Sequence, residues 1–299
     1  MDGIDVTDRD TAPRPRTHAA VPPRHRGALY INRVERRVFD GDCEFLRAPH
    51  HRAAIGTYLS DLLRPHGLDL DEDLLDAGAG HSYGEMGAEL ISSAVRADEP
   101  VDLLVVAFAV PDVRPGRATA TYLSHVCPGN PQSFAICDQG VAAAYTALRL
   151  VGEYVGSGAC RRALLLVVEQ ATLHYKTPVP AAVPARHAGV ALLCTGRPEA
   201  AGAARLDAVR VRTEVGSQQA AGLLATELAG HGGAATLVAG NGLNAADLPA
   251  GARRAPDGQP LTGAWWELAG GRTLVLADYE PSLRYLCTAT FATGASRVR

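Results

Sequence analysis

The stretch SFAICDQGVAAAYTALRLVGEYVGSG, residues 133–158, decides the fold. Gln132 to Cys137 reads as a buried strand, Asp138-Gln139-Gly140 as a turn, and Val141 to Val155 as a helix. That helix is apolar almost all round, with small Ala142, Ala143, Ala144 and Ala147. A helix without a polar face belongs inside its domain. Gly156-Ser157-Gly158 stops it, because glycine suits the left-handed position that closes a helix.

The neighbouring segments extend the pattern. Val101 to Val110 is a continuous apolar run closed by Pro111-Asp112, as in a strand buried on both faces. Arg161 to Glu169 and His187 to Cys194 read the same way, and Ala118 to His125 as a short helix. Strands alternating with helices imply an α/β architecture with right-handed crossovers. Upstream, Ala28 to Val34 alternates like a strand. His50 to Leu70 reads as a helix, with Ile55, Leu59, Leu62 and Leu63 at helical spacing. Residues 75–84 (LDAGAGHSYG) form a glycine-rich loop without the G-x-G-x-x-G of a dinucleotide site, and Glu85 to Val95 a second amphipathic helix.

Downstream, the composition breaks at residues 195–204. Leu206 to Thr213 alternates as a strand and Gln218 to Leu228 suits a helix. Ala235 to Ala239 is a strand that breaks at Gly240-Asn241-Gly242. Thr273 to Ala277 and Leu286 to Phe291 form a hairpin across Asp278 to Arg284. Residues 1–27, with Pro13, Pro15, Pro22 and Pro23, read as a disordered arm. The expected division is therefore an arm at 1–27, one half at 28–195 and a shorter half at 196–299.

Composition excludes several classes. The 299 residues carry a formal net charge of -3, so there is no basic footprint for nucleic acid. No apolar run approaches the roughly 20 residues that span a bilayer. The polar start, MDGIDVTDRDTAPRPR, lacks the apolar core of a signal peptide. The expectation is a cytoplasmic, soluble protein. None of the six cysteines forms a C-x-x-C pair, and His50 and His51 are adjacent rather than one helical turn apart, so no metal site is expected. The cysteines read as buried small hydrophobes of a reduced protein. Lys176, the only lysine, reads as a solvated loop residue.

Several residues admit both a chemical and a structural reading. Cys137 is either a nucleophile near a helix start or a small buried side chain; the adjacent Asp138 carboxylate would raise its pKa. His231, in Ala229-Gly-His-Gly-Gly, is either a general base or a loop histidine; His187, at a strand start, is a similar case. His174 follows the third strand, at a site or an interface. Glu169, at the end of a buried strand, must be paired or face a cleft. Trp265 and Trp266 line a pocket or pack the second half's sheet.

Taken together, VDLLVVAFAVPD, SFAICDQGVAAAYTALRLVGEYVGSG, RRALLLVVEQATL and RHAGVALLCTG resemble the N-terminal half of the thiolase superfamily, above all the β-ketoacyl-carrier-protein synthases. The resemblance implies a thiolase-like fold: two βαβαβ-type halves in α-β-α-β-α layers, here with the second half trimmed. It implies a nucleophilic cysteine at the start of the buried helix, where the dipole and free N–H groups favour thiolate and bind an oxyanion. It also implies two histidines, or a histidine and an asparagine, from the second half. In this chain the three positions fall on Gly140, Gly240 (in LVAGNGLNAAD) and Ala264 (in PLTGA).

Nucleophile and both imidazoles are thus missing together. The candidate catalytic residues that remain are Cys137 and His231, with Asp138, Gln139, Glu169, His174 and Asn241 as candidate substrate contacts. Three functions follow from the resemblance. The first is a non-catalytic subunit, like a chain-length factor, paired with an active ketosynthase and docking an acyl carrier protein in specialised-metabolite biosynthesis. The second is an acyltransferase or unusual condensing enzyme using Cys137 on an acyl-CoA or acyl-carrier-protein thioester. The third is a thioester-binding protein without chemistry. No cofactor is expected beyond CoA or phosphopantetheine carrying the substrate. The family's dimer forms through the strand at Gln132 to Cys137, so a homodimer or a heterodimer is expected, with neither nucleic acid nor membrane as partner.

Overall fold

A computed structural model describes residues 27–42, 44–176, 182–269 and 272–293. The arm expected at residues 1–27 lies outside them apart from Gly27, as does Cys43. The first part runs β1 (Leu29–Phe39), α1 (Glu44–Arg47), α2 (Pro49–Leu63), α3 (Glu72–Asp76), α4 (Tyr83–Ala94), β2 (Leu103–Ala107), α5 (Thr119–Val126), β3 (Gln132–Ile136), α6 (Ala142–Gly156), β4 (Arg162–Glu169) and β5 (His187–Thr195). The second runs β6 (Ala204–Arg212), α7 (Ser217–Ala229), β7 (Ala235–Ala239), β8 (Arg253–Arg254), α8 (Gly263–Trp266), β9 (Thr273–Glu280) and β10 (Tyr285–Thr293).

The strands form one sheet in the order β3-β2-β4-β5-β1-β6-β10-β9-β7-β8. Outward from the central β1–β6 pair, each side follows the same sequence of first, fifth, fourth, second and third strand. The strand senses match as well. β2 is parallel to β3 and β4, whereas β5 runs antiparallel to β4 and β1. Likewise β7 is parallel to β8 and β9, whereas β10 runs antiparallel to β9 and β6. The chain therefore contains one topology twice. Within the sheet, the two copies join where Leu29–Ile31 pairs with Ala204–Leu206.

Side-chain alternation explains the layers, since successive strand residues face opposite ways. Leu103, Val105 and Ala107 of β2, with Leu274 and Leu276 of β9, enclose α6 in a central core. Leu104 and Val106 face the other way, onto α4 and Leu123 of α5. Val275 and Ala277 face Leu224 of α7 in a third cluster. The order is helix, sheet, helix, sheet, helix, with α6 in the middle. The second copy is reduced. Its counterpart of β3 is the two-residue β8, its counterpart of α5 is the single 3-10 turn Ala245–Asp247, and its counterpart of α6 is the four-residue α8.

Three sequence expectations need correction. Gln132 to Ile136 is not a buried strand: β3 ends the sheet, pairs with β2 alone among the described strands, and leaves Gln132 and Ala135 exposed. The helix expected over His50 to Leu70 stops at Leu63, because Pro65 cannot donate to the ladder and Gly67 turns left-handed at φ 62° after a single 3-10 turn. The hairpin turn is shorter than expected. β9 runs on to Glu280, so Asp278 lies within the strand and residues 281–284 alone make the turn. Among the described residues, no helix is long and apolar enough to cross a membrane.

Candidate functional site

The site grows from the start of α6. Asp138 and Gly140 both take left-handed backbone angles, φ 60° and 52°. This tight turn reverses the chain from β3 into the helix. Gln139 anchors the turn by accepting from the Thr146 hydroxyl at 2.7 Å. Alternate residues of β9 enter the same region from the second half of the sheet. Leu274 and Leu276 pack in the central core, and Asp278 and Glu280 continue that inward register into the space before α6.

The Glu280 carboxylate occupies the space in front of Gly140. A Cβ added at Gly140 would collide with the Glu280 carboxylate. Glu280 Oε2 also accepts from Val141 N at 3.2 Å. Helix starts favour anions, and here the anion is the protein's own. Ser282 holds the other oxygen through its hydroxyl at 2.7 Å.

Asp278 fills the corresponding space at Gly240, where an added Cβ would collide with Asp278 Oδ1. Asp278 is 1% exposed. Its Oδ2 accepts from the Tyr145 hydroxyl at 2.7 Å, while Oδ1 is buried without a partner among the described residues. Burial pushes its carboxyl up to about 7, aided by the nearby Glu169 and Glu280 charges and opposed by the Tyr145 hydrogen bond. Burial also drives the Tyr145 phenol well above its usual range, as does the Asp278 charge. Tyr145 in turn packs on Trp265, with ring centroids 4.9 Å apart.

The third position, Ala264, is buried in the central core on α8. Its approach is pinned by Glu169, which accepts from Leu261 N at 2.9 Å, Thr262 N at 3.1 Å, Gln259 Nε2 at 2.7 Å and the Thr262 hydroxyl. Burial raises the Glu169 carboxyl, and these four donors work against that rise. Glu169 thus ties the end of β4 to the start of α8.

The structure brings Gly140 and Gly240 against adjacent carboxylates of one strand. It does not bring the remaining catalytic candidates to them. The Cys137 thiol donates to Asp138 Oδ2 at 3.1 Å, and burial, followed by that carboxylate, pushes its pKa up. Cys137 is nonetheless half-exposed, whereas Cys127, Cys160, Cys194 and Cys287 are buried thiols. Asp138 lines a cavity of about 360 Å³ with Asp112, Thr119 and Arg117.

His231 lies beyond the end of α7, in the outer layer. His174 is buried and donates through Nε2 to the Ala79 carbonyl at 2.8 Å, and burial lowers its pKa. It holds the glycine-rich loop. Asn241, half-buried beside Gly240, donates to the Pro256 carbonyl at 3.1 Å. Trp265 is fully buried and packs the core. Lys176 is exposed. His187 faces His81 edge-on, with centroids 5.5 Å apart, and accepts from Ala171 N. Burial lowers its pKa, followed by the neighbouring His81.

The sequence reading missed Asp278 and Glu280 by assigning them to a turn. The signal was the even-numbered inward register of residues 274, 276, 278 and 280. Among the described residues, no group of three His, Cys, Asp or Glu side chains is placed to hold a metal ion.

No family model and no curated protein matches the chain. Solved structures do. AbyA1, a tetronic acid condensing enzyme, is 18% identical over 89% of this chain and 100% of that one, with a TM-score of 0.57. ChlB3, an acyltransferase, is 17% identical over 89% and 98%, with a TM-score of 0.56. The 3-oxoacyl-(acyl carrier protein) synthase III of Pseudomonas aeruginosa PAO1 is 16% identical over 89% and 98%, with a TM-score of 0.54. The fold is thiolase-like. Condensing enzymes and acyltransferases share it, as expected from the residues around Gly140. At these identities the likeness carries the thiolase fold and no residue roles.

Proposed function

We propose that this thiolase-fold protein is a non-catalytic subunit, paired with an active ketosynthase and assisting the docking of its acyl carrier protein. One observation carries the reading: Glu280 fills the nucleophile's space beside Gly140 and takes the Val141 N–H at the helix start. A thioester oxyanion would have to displace a carboxylate from that donor. The exposed edge of β3 supports the pairing, since its outer side bonds to no other strand among the described residues. An unpaired edge is a template for another strand. The expected partner lays the corresponding strand of its own sheet against Gln132–Ile136.

The test joins co-purification with intact-mass measurement. The protein is co-expressed with a candidate ketosynthase partner and then incubated with acyl-CoA and acyl carrier protein. A heterodimer whose small subunit gains no acyl mass supports the proposal. A self-associating protein with turnover of its own overturns it. The half-exposed Cys137, beside the cavity lined by Asp138, carries a second reading as an acyltransferase nucleophile. An acyl adduct that disappears in Cys137→Ala would establish that reading instead.

A further inference from the structure

The outer face of β6 and β10 carries a polar pocket on the side of the sheet away from α6. Alternation places Leu286, Thr288 and Thr290 on the α7 side of β10, because Cys287, Ala289 and Phe291 face the central core. Across the ladder, Thr288 pairs with Arg210, Thr290 with Ala208, and Leu286 with Arg212. Beneath α7, an open cavity of about 460 Å³ is lined by Ala208, Arg210, Arg212, Glu227, His231 and Thr290, among others.

Its hydrogen bonding is unbalanced. Thr288 and Thr290 are each 1% exposed, and neither hydroxyl has a partner among the described residues. Arg212 Nη1 is likewise buried and unpaired. Buried donors are nearly always satisfied in folded proteins, and an unmet one is destabilising. The acceptors nearby are already engaged. Arg210 and Arg212 each bond one oxygen of Glu227. Asp207 is held by Arg205 at 2.8 Å. Two guanidiniums thus face one carboxylate, beside three donors without acceptors.

We propose that this cavity binds a small metabolite through an oxyanion head, a carboxylate or a phosphoryl group. The head accepts from Arg212 Nη1 and Thr290 Oγ1, the unpaired donors of lining residues, and its charge offsets the second guanidinium. The volume exceeds that of a bare ion, so the rest of the ligand extends along α7 towards His231. The proposal does not depend on the condensing-complex reading, because the site lies on the opposite face of the sheet from α6.

Thermal unfolding of the full chain in sodium phosphate, in sodium malonate, and in sodium chloride at equal ionic strength tests it. The expected result is a saturable rise in Tm with phosphate, malonate or both, and none with chloride. At a hundredfold excess over Kd the rise should be about 5 °C. A response to phosphate alone assigns a phosphoryl head, and to malonate alone a carboxylate. Thr290→Val keeps the side-chain shape and should abolish the rise without lowering the ligand-free Tm, while Thr288→Val, at a residue outside the lining, should leave the rise in place. No saturable rise with either anion overturns the proposal, as does a rise that survives in Thr290→Val.

Discussion

The Glu280 carboxylate and Gly140 share one space at the start of α6: the carboxylate accepts from Val141 N at 3.2 Å and leaves no room for a side chain at residue 140. Introducing a cysteine at residue 140 should therefore destabilise the protein. Gly140→Cys places a β-carbon at φ 52°, costing about 1–2 kcal/mol. The Glu280 carboxylate, the end of a flexible side chain, must swing aside and give up its bond to Val141 N, which adds about 1–3 kcal/mol. Urea denaturation should show a loss of about 2–4 kcal/mol, within the sum of those ranges. Adding Glu280→Ala removes the collision but not the backbone cost, so the double variant should recover at least about 1 kcal/mol through coupling. Strict additivity would show that the two residues do not compete for this space.

Asp278 should make the protein less stable as pH rises. Its folded carboxyl stands at about 7, raised mainly by burial, against the ordinary 3.8 expected for the unfolded chain. Between those values the folded protein keeps a proton that the unfolded chain has released. Stability from this group is therefore fully present below about pH 4, falls from about 4 to about 7, and levels off above that. The ceiling is on the order of 4 kcal/mol, at about 1.4 kcal/mol per pH unit. Glu169, also raised chiefly by burial, acts in the same direction. Urea midpoints for the wild type should drop between about pH 4 and about pH 7 and level off above that. In Asp278→Asn the drop should shrink, because the amide still accepts from Tyr145 without carrying a charge. An unchanged slope would place the titrating group elsewhere.

The same two carboxylates show what the sequence carried and what it hid. Strands β2, β4 and β5 were legible because each is buried almost throughout, and α6 because its run of small apolar residues is buried from Ala142 to Tyr145 and onward along one face. β1 was only half legible. Its apolar alternation ends at Val34, yet the strand continues through Glu35, Arg36 and Arg37. Arg36 reaches the Trp266 carbonyl at 2.7 Å and Arg37 pairs with Glu89 at 2.6 Å. Asp278 and Glu280 were hidden for a related reason. Acidic residues near a chain reversal resemble a turn; the Tyr145 hydroxyl on Asp278, and the Val141 N–H and Ser282 hydroxyl on Glu280, make their inward placement tolerable. What fills the space at Gly140 and Gly240 depended on pairing between distant segments.

Cys137 should react slowly for an accessible thiol. Burial raises its pKa first, and the hydrogen bond and charge of Asp138 raise it further. The thiolate is the nucleophile, so the reaction rate follows its population. Peptide-resolved iodoacetamide labelling at about pH 7.5 should modify Cys137 more slowly than free glutathione. Asp138→Asn removes the neighbouring charge and should speed labelling several-fold. Faster labelling in the wild type than in the variant would mean that Asp138 activates the thiol, and would favour the acyltransferase reading.

Glu169 is the pin between the two halves of the fold, and its removal should loosen one end of the centre before the rest. Two backbone N–H groups, Leu261 and Thr262, end on its carboxylate in a fully buried setting, together with the Gln259 amide and the Thr262 hydroxyl. In Glu169→Ala the side chains can turn to other partners, but the two backbone donors cannot. At about 1–3 kcal/mol for each unmet buried donor, the loss should be about 2–6 kcal/mol. The effect should spread first to α8, which begins at Gly263, one residue after the pinned pair. Trp265 on α8 packs against Tyr145, so the Tyr145 hydrogen bond to Asp278 weakens with it. Amide hydrogen exchange tests this order. Leu261, Thr262 and the α8 amides should exchange faster in the variant under conditions where β2 and β4 stay protected. Uniform acceleration across the sheet would instead make Glu169 a general contributor to stability, with no special hold on α8.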